Sequence, residues 1–489
     1  MAKKSLYLSK SKYVDGLQCP KLLWYRYNRK ADIPSSSADD LERMQQGILV
    51  GELAQGLYPD GIKIERAKDP TETHKRSQEQ LKERKPLFEA GFTCKSGYAL
   101  PDILVPAEKD AWDLIEVKST KKVKDEHLPD AAFQRYVYEG SGLKIGKCYL
   151  MHLDGEYVKK GEIDLEKLFK KEDITEQVDD LLPGIGKQVE DMARVITGKE
   201  PDIKVGEQCR GCPMHDVCWS FLPEDNVFDL RGGDKVPLDL MQRGILKMKD
   251  IPPDYELNEK QEIQVGSHQL NKPHIDKERI REFIDELEYP LYFLDFETIA
   301  LAIPFYDLSR PYEDIPFQFS LHVVEKEGAR PKHYSFLARG DVDPRPEMLK
   351  RLKGLLGTSG SIIAYYSTYE ERCLKYAVRA YPEYEEWFNG IKKRLKDLLV
   401  PFGGLAYYHP AQKGSASMKA VLPALTDLSY EGLEIGEGGL ARFEYMRVTF
   451  EDKVDEKERL KVHRALEEYC GMDTMGMVEI LKVLRKECG

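Results

Sequence analysis

The segment LYFLDFETIA (residues 291–300) sets two carboxylates, Asp295 and Glu297, inside an apolar run. Alternate side chains of an extended strand share a face, so both acids point one way while Leu294 and Phe296 point the other. Like charges this close repel, and burying them unpaired is costly. A divalent cation answers both problems; the plainer reading is a pair of solvated acids on an edge strand. A cation site needs further ligands from elsewhere in the chain. Glu370 lies where SIIAYYSTYEERCLKYA passes from strand to helix. Tyr469 and Asp473 stand at i and i+4 of LEEYCGMDTMGMVEILKVL, on one helix face. Asp397, in RLKDLLVPF, is a candidate accessory acid.

A second acidic set lies in the first half. PDILV supplies Asp102, and after thirteen intervening residues IEVKS supplies Glu116 and Lys118 on one strand face. Two carboxylates and a lysine at a strand pair can hold Mg²⁺ or Mn²⁺ through oxygen. Lys118 would then orient water or steady charge at phosphorus. An isolated E-x-K is otherwise a solvated ion pair. The helix that follows carries Gln134 and Tyr138, one turn apart. A third set is made of thiols. QCRGCPMHDVC holds Cys209, Cys212 and Cys218, and LQCPKLLWY holds Cys19 almost two hundred residues earlier. Four thiolates suit either a [4Fe–4S] cluster or tetrahedral zinc, and C-x2-C does not choose between them. His215 is a further possible zinc ligand.

The elements that must position these groups follow from periodicity. Apolar residues recur at three and four in PKLLWYRYN, LERMQQGILVGELAQGLY and SQEQLKERKPLFEAGF, which read as helices. YALPDILVPA and DLIEVKST read as two strands, LPDAAFQRYVYEGSG as a helix, KCYLMHL as a strand and residues 172–197 as a helix. Residues 223–287 are polar and read as a helical linker. A second strand-rich stretch opens at LYFLDFETI and continues through PFQFSLHVVE, HYSFLA and SIIAYY to a long helix at 456–487. The expected division is 1–222, 223–287 and 288–489, in an α/β (α+β) chain. At roughly 150 residues per domain, 489 residues allow this.

Composition narrows the class. The net charge of −11 argues against broad, non-specific polyanion binding, yet metal sites themselves require carboxylates. The basic runs KSTKKVKDEH (118–127) and NGIKKRLKD (389–397) read first as solvated faces. No apolar run approaches the roughly 18 residues of a membrane span, and MAKKSLYLSKSKYV has no apolar signal region. The expectation is a cytoplasmic protein without a membrane partner. In that compartment nine cysteines point to ligands rather than to a disulfide framework.

With these motifs in place, the first half resembles the RecB-type nucleases that carry an iron–sulfur staple, among them the CRISPR adaptation nuclease and the AddB nuclease domain. The early CP, the PD…ExK core, Q-x3-Y and the late C-x2-C-x5-C carry the resemblance over roughly residues 5–222. It implies a PD-(D/E)xK restriction-endonuclease-like fold and a [4Fe–4S] cluster on Cys19, Cys209, Cys212 and Cys218. It also implies a metal held by Asp102, Glu116 and the Val117 carbonyl, with Gln134 and Tyr138 toward substrate. Such nucleases often carry G-x3-H on an early helix; GILVGEL has Gly51 at that position. Weaker metal binding, or DNA binding without efficient cleavage, is the expectation.

The second half resembles the DEDD exonucleases, the DnaQ-like branch of the RNase H fold, in the subset with tyrosine in the third motif. This implies Asp295, Glu297, Glu370 and Asp473 as ligands of cations roughly 4 Å apart. Asp295 would bridge them and Tyr469 would orient the attacking water. Glu370 stands where that family usually has Asp, and Tyr366 where it often has Asn. Lys419, in GSASMKAVLPAL, is expected near substrate phosphate. The order of the two halves resembles a bacterial family of fusion proteins. The expected activity is metal-dependent hydrolysis of single-stranded DNA or DNA ends, with RNA as a possible substrate. The alternatives are a chain in which only the C-terminal half is active and the N-terminal half binds or docks DNA, and a non-enzymatic nucleic-acid adaptor.

Overall fold

A computed structural model describes residues 7–451 and 453–489. The chain is mixed α/β, with both parallel and antiparallel pairing in its larger sheets. It divides into two compact units. One runs to Trp219 and takes in Leu301–Tyr312; the other comprises Ser220–Ala300 and Glu313–Gly489.

In the first unit a six-stranded sheet runs in the order β1 (Ile62–Lys63), β2 (Leu87–Phe88), β3 (Ile103–Pro106), β4 (Trp112–Lys118), β5 (Ile145–Leu153), β6 (Phe169–Asp173). Strands β3 and β4 are antiparallel, whereas β4 and β5 are parallel. A parallel pair needs a crossover, and the helix Leu128–Gly140 supplies it. That helix is α2 here, α1 being Lys10–Gln18. Phe133 and Val137 of α2 share an apolar cluster with Leu114, Cys148 and Leu150 of the strands.

YALPDILVPA, expected as one strand, is two. Gly97–Ala99 belongs to a separate three-stranded sheet with Leu8–Ser9 and Phe92–Cys94, and only Ile103–Pro106 joins the main sheet. Pro101 has no N–H to give a ladder. The break leaves Asp102 immediately before β3.

The excursion Leu301–Tyr312 is fixed to this unit by specific contacts. Ala302 is fully buried beside Val50, Ile103 and Val117. Its N–H donates to the Gln46 side chain at 3.0 Å, and the Tyr312 hydroxyl donates to Ser119 Oγ at 3.0 Å.

In the second unit five strands run in the order β9 (Lys332–Leu337), β8 (Ile315–Val324), β7 (Leu291–Ile299), β10 (Ile362–Ala364), β11 (Leu395–Asp397). Strand β8 is antiparallel to both its neighbours, and the β7–β10 and β10–β11 pairs are parallel. Strand β7 is therefore central. Eight of its nine residues are buried, the exception being Asp295. The helix α3 (Ser367–Ala380) follows β10, the short α4 (Met418–Leu425) comes next among the site-forming helices, and α5 (Glu456–Cys488) closes the chain. Asp455 caps α5 by accepting the Glu458 N–H at 2.8 Å. Val478, Leu481 and Leu484 of α5 pack on Leu291 and Phe293, two residues on the same face of β7 as Asp295. Gly476 lets α4 come close, since a Cβ there would lie 2.9 Å from both Leu422 and Met418.

Residues 223–287, expected as a linker, are part of this second unit. Ile280 is fully buried in the core with Leu291 and Phe293. The Arg231 guanidinium donates to the carbonyls of Gly414 at 2.8 Å and Phe402 at 2.9 Å. Polarity marked these residues as exposed, but a half-buried arginine and the buried apolar side chains of these helices are enough to dock them.

Candidate functional site

The C-terminal acids converge. Asp295 and Glu297 come from β7 and Asp473 from α5, and one carboxylate oxygen of each lies within 4.8 Å of the others. Among the described residues this is the group of His, Cys, Asp or Glu with metal-ligand spacing. Asp295 and Glu297 share a face because they are two apart on a strand; a bulge follows, as the register with β8 shifts between Glu297 and Thr298. Helix α5 brings Tyr469 and Asp473 over that face one turn apart. Gly438 lines the same space: a Cβ there would sit 3.8 Å from Glu297 Oε2 and 3.9 Å from the Tyr469 hydroxyl.

Burial and mutual repulsion dominate the electrostatics. Burial first, then the Asp473 charge, pushes the Asp295 carboxyl well above the usual carboxylate range. Burial, Asp295 and Asp473 do the same to Glu297, against the weaker pull of Lys419 and Arg442. Asp473 is pushed up to about 7 by burial, opposed by a hydrogen bond from the Tyr430 hydroxyl. Cys470 donates its thiol to Asp295 Oδ2 at 3.4 Å.

Glu370, at the first turn of α3, is 2% exposed, and its Oε2 is buried without a hydrogen-bond partner. Burial and the Asp295 charge raise its pKa well above the usual range. A buried carboxylate oxygen left unsatisfied within reach of the Asp295 charge has the character of a cation ligand. The residue set therefore fits Mg²⁺ or Mn²⁺. Lys419 stands over the rings of Tyr430 and Tyr469, its ammonium 5.9 and 5.8 Å from their centroids. Asp397 serves the backbone instead, accepting the N–H groups of Tyr366 and Leu399 at 2.9 Å each. Tyr366 is held at φ +72° and is 54% exposed.

The N-terminal set also converges, but on itself. Glu116 is fully buried, and its Oε1 meets both Lys10 Nζ and Lys118 Nζ at 2.7 Å. Its Oε2 accepts Gln134 Nε2 at 2.6 Å, and the Tyr138 hydroxyl donates to Gln134 Oε1 at 3.3 Å. Lys118 also pairs with Asp130. Asp102 accepts the Val117 N–H at 2.7 Å. Burial works to raise the Glu116 carboxyl, but the two ammoniums outweigh it and hold it well below its ordinary value. Burial and the Glu116 charge push Asp102 up to about 7. With both Glu116 oxygens committed, Asp102, Glu116 and Val117 do not fit a metal in this arrangement.

Removing the Glu116 carboxylate strands two ammoniums. Glu116→Ala is expected to lower stability by about 2–4 kcal/mol in urea unfolding. This lies below the cost of breaking a fully buried pair, because the lysines keep a solvated flank.

The thiols are gathered too. The Gln18 amide donates to the carbonyls of Gln208 and Arg210 at 3.3 and 3.4 Å, tying the Cys19 segment to the C-x2-C turn. Cys19, Cys212 and Cys218 share an apolar cluster with Trp24 and Met214. Gly211 makes the turn at φ +64°. Burial, aided by the charges of Cys19, Cys209 and Cys218, raises the Cys212 thiol.

Sequence reasoning missed four residues. Asp130 was within reach, since Asp130, Gln134 and Tyr138 repeat at i, i+4 and i+8 of α2. Cys470 lies between the two singled-out residues of α5. Lys10 and Tyr430 carry no local signal: each acts on an acid far away in sequence.

The fold and site thus define a mixed α/β chain with a strand-and-helix carboxylate trio of metal-ligand type. Residues 292–417 match a family described as a domain of unknown function (DUF2779). The match takes in Asp295, Glu297 and Glu370, and stops before Tyr469 and Asp473. No curated protein matches the chain.

Proposed function

We propose that this chain is a divalent-metal-dependent nuclease whose C-terminal centre removes nucleotides 3′ to 5′ from single-stranded DNA or DNA ends. One observation carries the reading: Asp295, Glu297 and Asp473 meet within 4.8 Å beside Tyr469. The central acid-bearing strand, with an antiparallel neighbour on one side and a parallel one on the other, supports the RNase H-like expectation. The antiparallel β3–β4 pair and the β4–α2–β5 crossover support the PD-(D/E)xK expectation.

Asp295, Glu297 and Asp473 would hold the cations, with Glu370 alongside. When bound, they supply Lewis-acid stabilisation of the charge that develops at phosphorus and on the leaving 3′ oxygen. The chain does the positioning. Burial, aided by the Asp473 and Glu297 charges, raises the Tyr469 hydroxyl far above neutrality, so it stays protonated and can orient water in line with the scissile bond. Tyr430 fixes the Asp473 carboxylate by hydrogen bonding, and Lys419 adds positive charge for the incoming phosphate.

The test is end-labelled single-stranded DNA with Mn²⁺, comparing wild type, Asp295→Asn, Asp102→Ala and the double variant. Equal rates in all four remove the proposal; the same assay on RNA decides the sugar preference. The saturation of Glu116 favours a second reading, in which only the C-terminal centre cuts and the N-terminal unit binds or docks DNA. Activity lost in Asp295→Asn and untouched in Asp102→Ala selects it.

The four thiols support a [4Fe–4S] cluster that ties the Cys19 helix to the Cys209–Cys218 segment. Protein purified without oxygen is expected to be brown, and Cys209→Ser colourless and less stable. Colourless wild type with stoichiometric zinc reassigns the site.

A further inference from the structure

We propose that the Tyr366 ring is a stacking platform for the terminal nucleobase of the strand that the C-terminal centre cuts, so that the centre prefers an unpaired 3′ end. This deepens the nuclease reading and rests on it.

Two tyrosines stand together between β10 and α3, and they differ. Tyr365 turns inward: its hydroxyl donates to the Ala416 carbonyl at 2.5 Å, and its ring faces that of Phe402. Tyr366 is 54% exposed, and its side chain has no hydrogen bond, ion pair or ring partner among the described residues. Its backbone is nevertheless left-handed, at φ +72° and ψ +56°. Residues with a Cβ avoid that region, and Gly, Asn and Asp enter it most readily. The Asp397 carboxylate holds the conformation by accepting the Tyr366 N–H at 2.9 Å. A glycine would suit this backbone better, and no polar or ring contact within the chain offsets the choice of tyrosine. Strain kept without an internal return points to a partner outside the chain.

Its place in the sheet says which partner. Strands β7 and β10 are parallel neighbours, with Tyr292 opposite Ile362 and Phe293 opposite Ile363. Counted onward along both chains, Tyr365 comes level with Asp295, and Tyr366 with Phe296, between the two acids. Tyr366 therefore stands just past the carboxyl end of β10, the end at which open α/β sheets take their ligands. The helix turn that it opens lies against the end of β7. The Tyr369 and Thr298 hydroxyls share a hydrogen bond at 2.6 Å, and Glu370 feels the Asp295 charge. An exposed aromatic ring at this rim suits a nucleobase, which is flat and has a π-face of its own. Stacking of this kind accepts any base and is how proteins hold single strands without regard to sequence. A base inside a duplex is already paired and stacked on its neighbours, so an unpaired end reaches the ring at lower cost. The ring meets the base and not the sugar, so it serves DNA and RNA alike.

The experiment uses the full chain with Mn²⁺ and reads release of the first nucleotide from a 5′-labelled single strand. One strand is intact; the other is abasic at its 3′-terminal nucleotide. On the intact strand Tyr366→Ala is expected to lower kcat/KM by at least about tenfold, chiefly through KM, and Tyr366→Phe to stay within twofold of wild type. On the abasic strand Tyr366→Ala and wild type are expected to agree within twofold, since the ring has lost its partner. Tyr366→Gly suits the left-handed backbone and serves if Tyr366→Ala does not fold. It is expected to melt no lower than wild type and to lose the same activity. A second readout needs no hydrolysis. With Ca²⁺ in place of Mn²⁺, wild type is expected to quench a strand ending in 2-aminopurine, and Tyr366→Ala to leave it bright. Equal losses on the intact and abasic strands, wild-type rates in Tyr366→Ala, or equal quenching by the two proteins overturns the proposal. Failure of the nuclease reading shows separately, as unchanged hydrolysis in Asp295→Asn, and the quenching still decides the role of Tyr366.

Discussion

Asp295→Asn is expected to slow release of nucleotides from end-labelled single-stranded DNA by at least about a thousandfold, with the protein still folded. The size follows from the chemistry. The cations that this carboxylate would help to hold would stabilise transition-state charge by several kcal/mol, and about 4 kcal/mol is a factor of roughly 10³ in rate. Asp295 is coupled to the other acids: its charge raises both Glu297 and Glu370. The amide keeps the shape and the Cys470 contact but removes the charge. Asp473→Asn should match it. Tyr469→Phe should cost less, about 10–100-fold, because it removes only an orienting hydroxyl. Circular dichroism and melting of each variant separate lost chemistry from lost structure. A folded Asp295→Asn protein with wild-type rates removes the C-terminal centre as the source of hydrolysis.

The same acids make stability depend on pH in the opposite direction from most carboxylates. Asp473 is pushed up to about 7 in the folded chain, against an ordinary value near 3.8. The native state therefore holds its proton more tightly than the unfolded state. Its stabilising share is complete below about pH 4 and is lost as pH rises through about 7. In EDTA, the Asp473 share of stability is expected to fall by about 2–4 kcal/mol between pH 5 and pH 8. Glu116, whose pKa is held down, acts oppositely, and its share is lost only below its unfolded value near 4.5, outside this window. Asp102, also near 7, adds to the same fall, so the comparison with Asp473→Asn isolates the C-terminal share. That variant is expected to be more stable than wild type at pH 8 in EDTA, while inactive. Saturating Mn²⁺ should restore wild type and leave Asp473→Asn behind. A wild-type melting temperature that rises from pH 5 to pH 8 in EDTA contradicts this account of the cluster.

Much of the site was legible before the fold. The D-x-E pair needed only strand alternation, and Tyr469 with Asp473 only the helical repeat. Periodicity of this kind reports which face a residue occupies, because side-chain direction is set within a few bonds of the backbone. The same rule would have found Asp130. Where the sequence reading failed, a neighbour distant in sequence was responsible. Pro101 is the exception, a local signal: it lies within the expected strand and has no N–H to give a ladder. Residues 223–287 looked like a linker because polarity counts side chains without showing what covers them. Residues 301–312 read as part of the second half, yet Ala302 is buried in the first unit.

What the sequence by itself determined is the chemistry on offer: two carboxylate sets, four thiols, and the face on which each acid lies. The tertiary structure alone decided how those groups are satisfied. In the C-terminal unit, α5 crosses β7 so that three acids meet with too few protein cations to neutralise them. In the N-terminal unit, α1 delivers Lys10 to Glu116, and the acid is neutralised from within. Two similar motifs thus reach opposite electrostatic states because burial makes a carboxylate seek positive charge, and only packing across a hundred residues settles which cation is near enough to provide it.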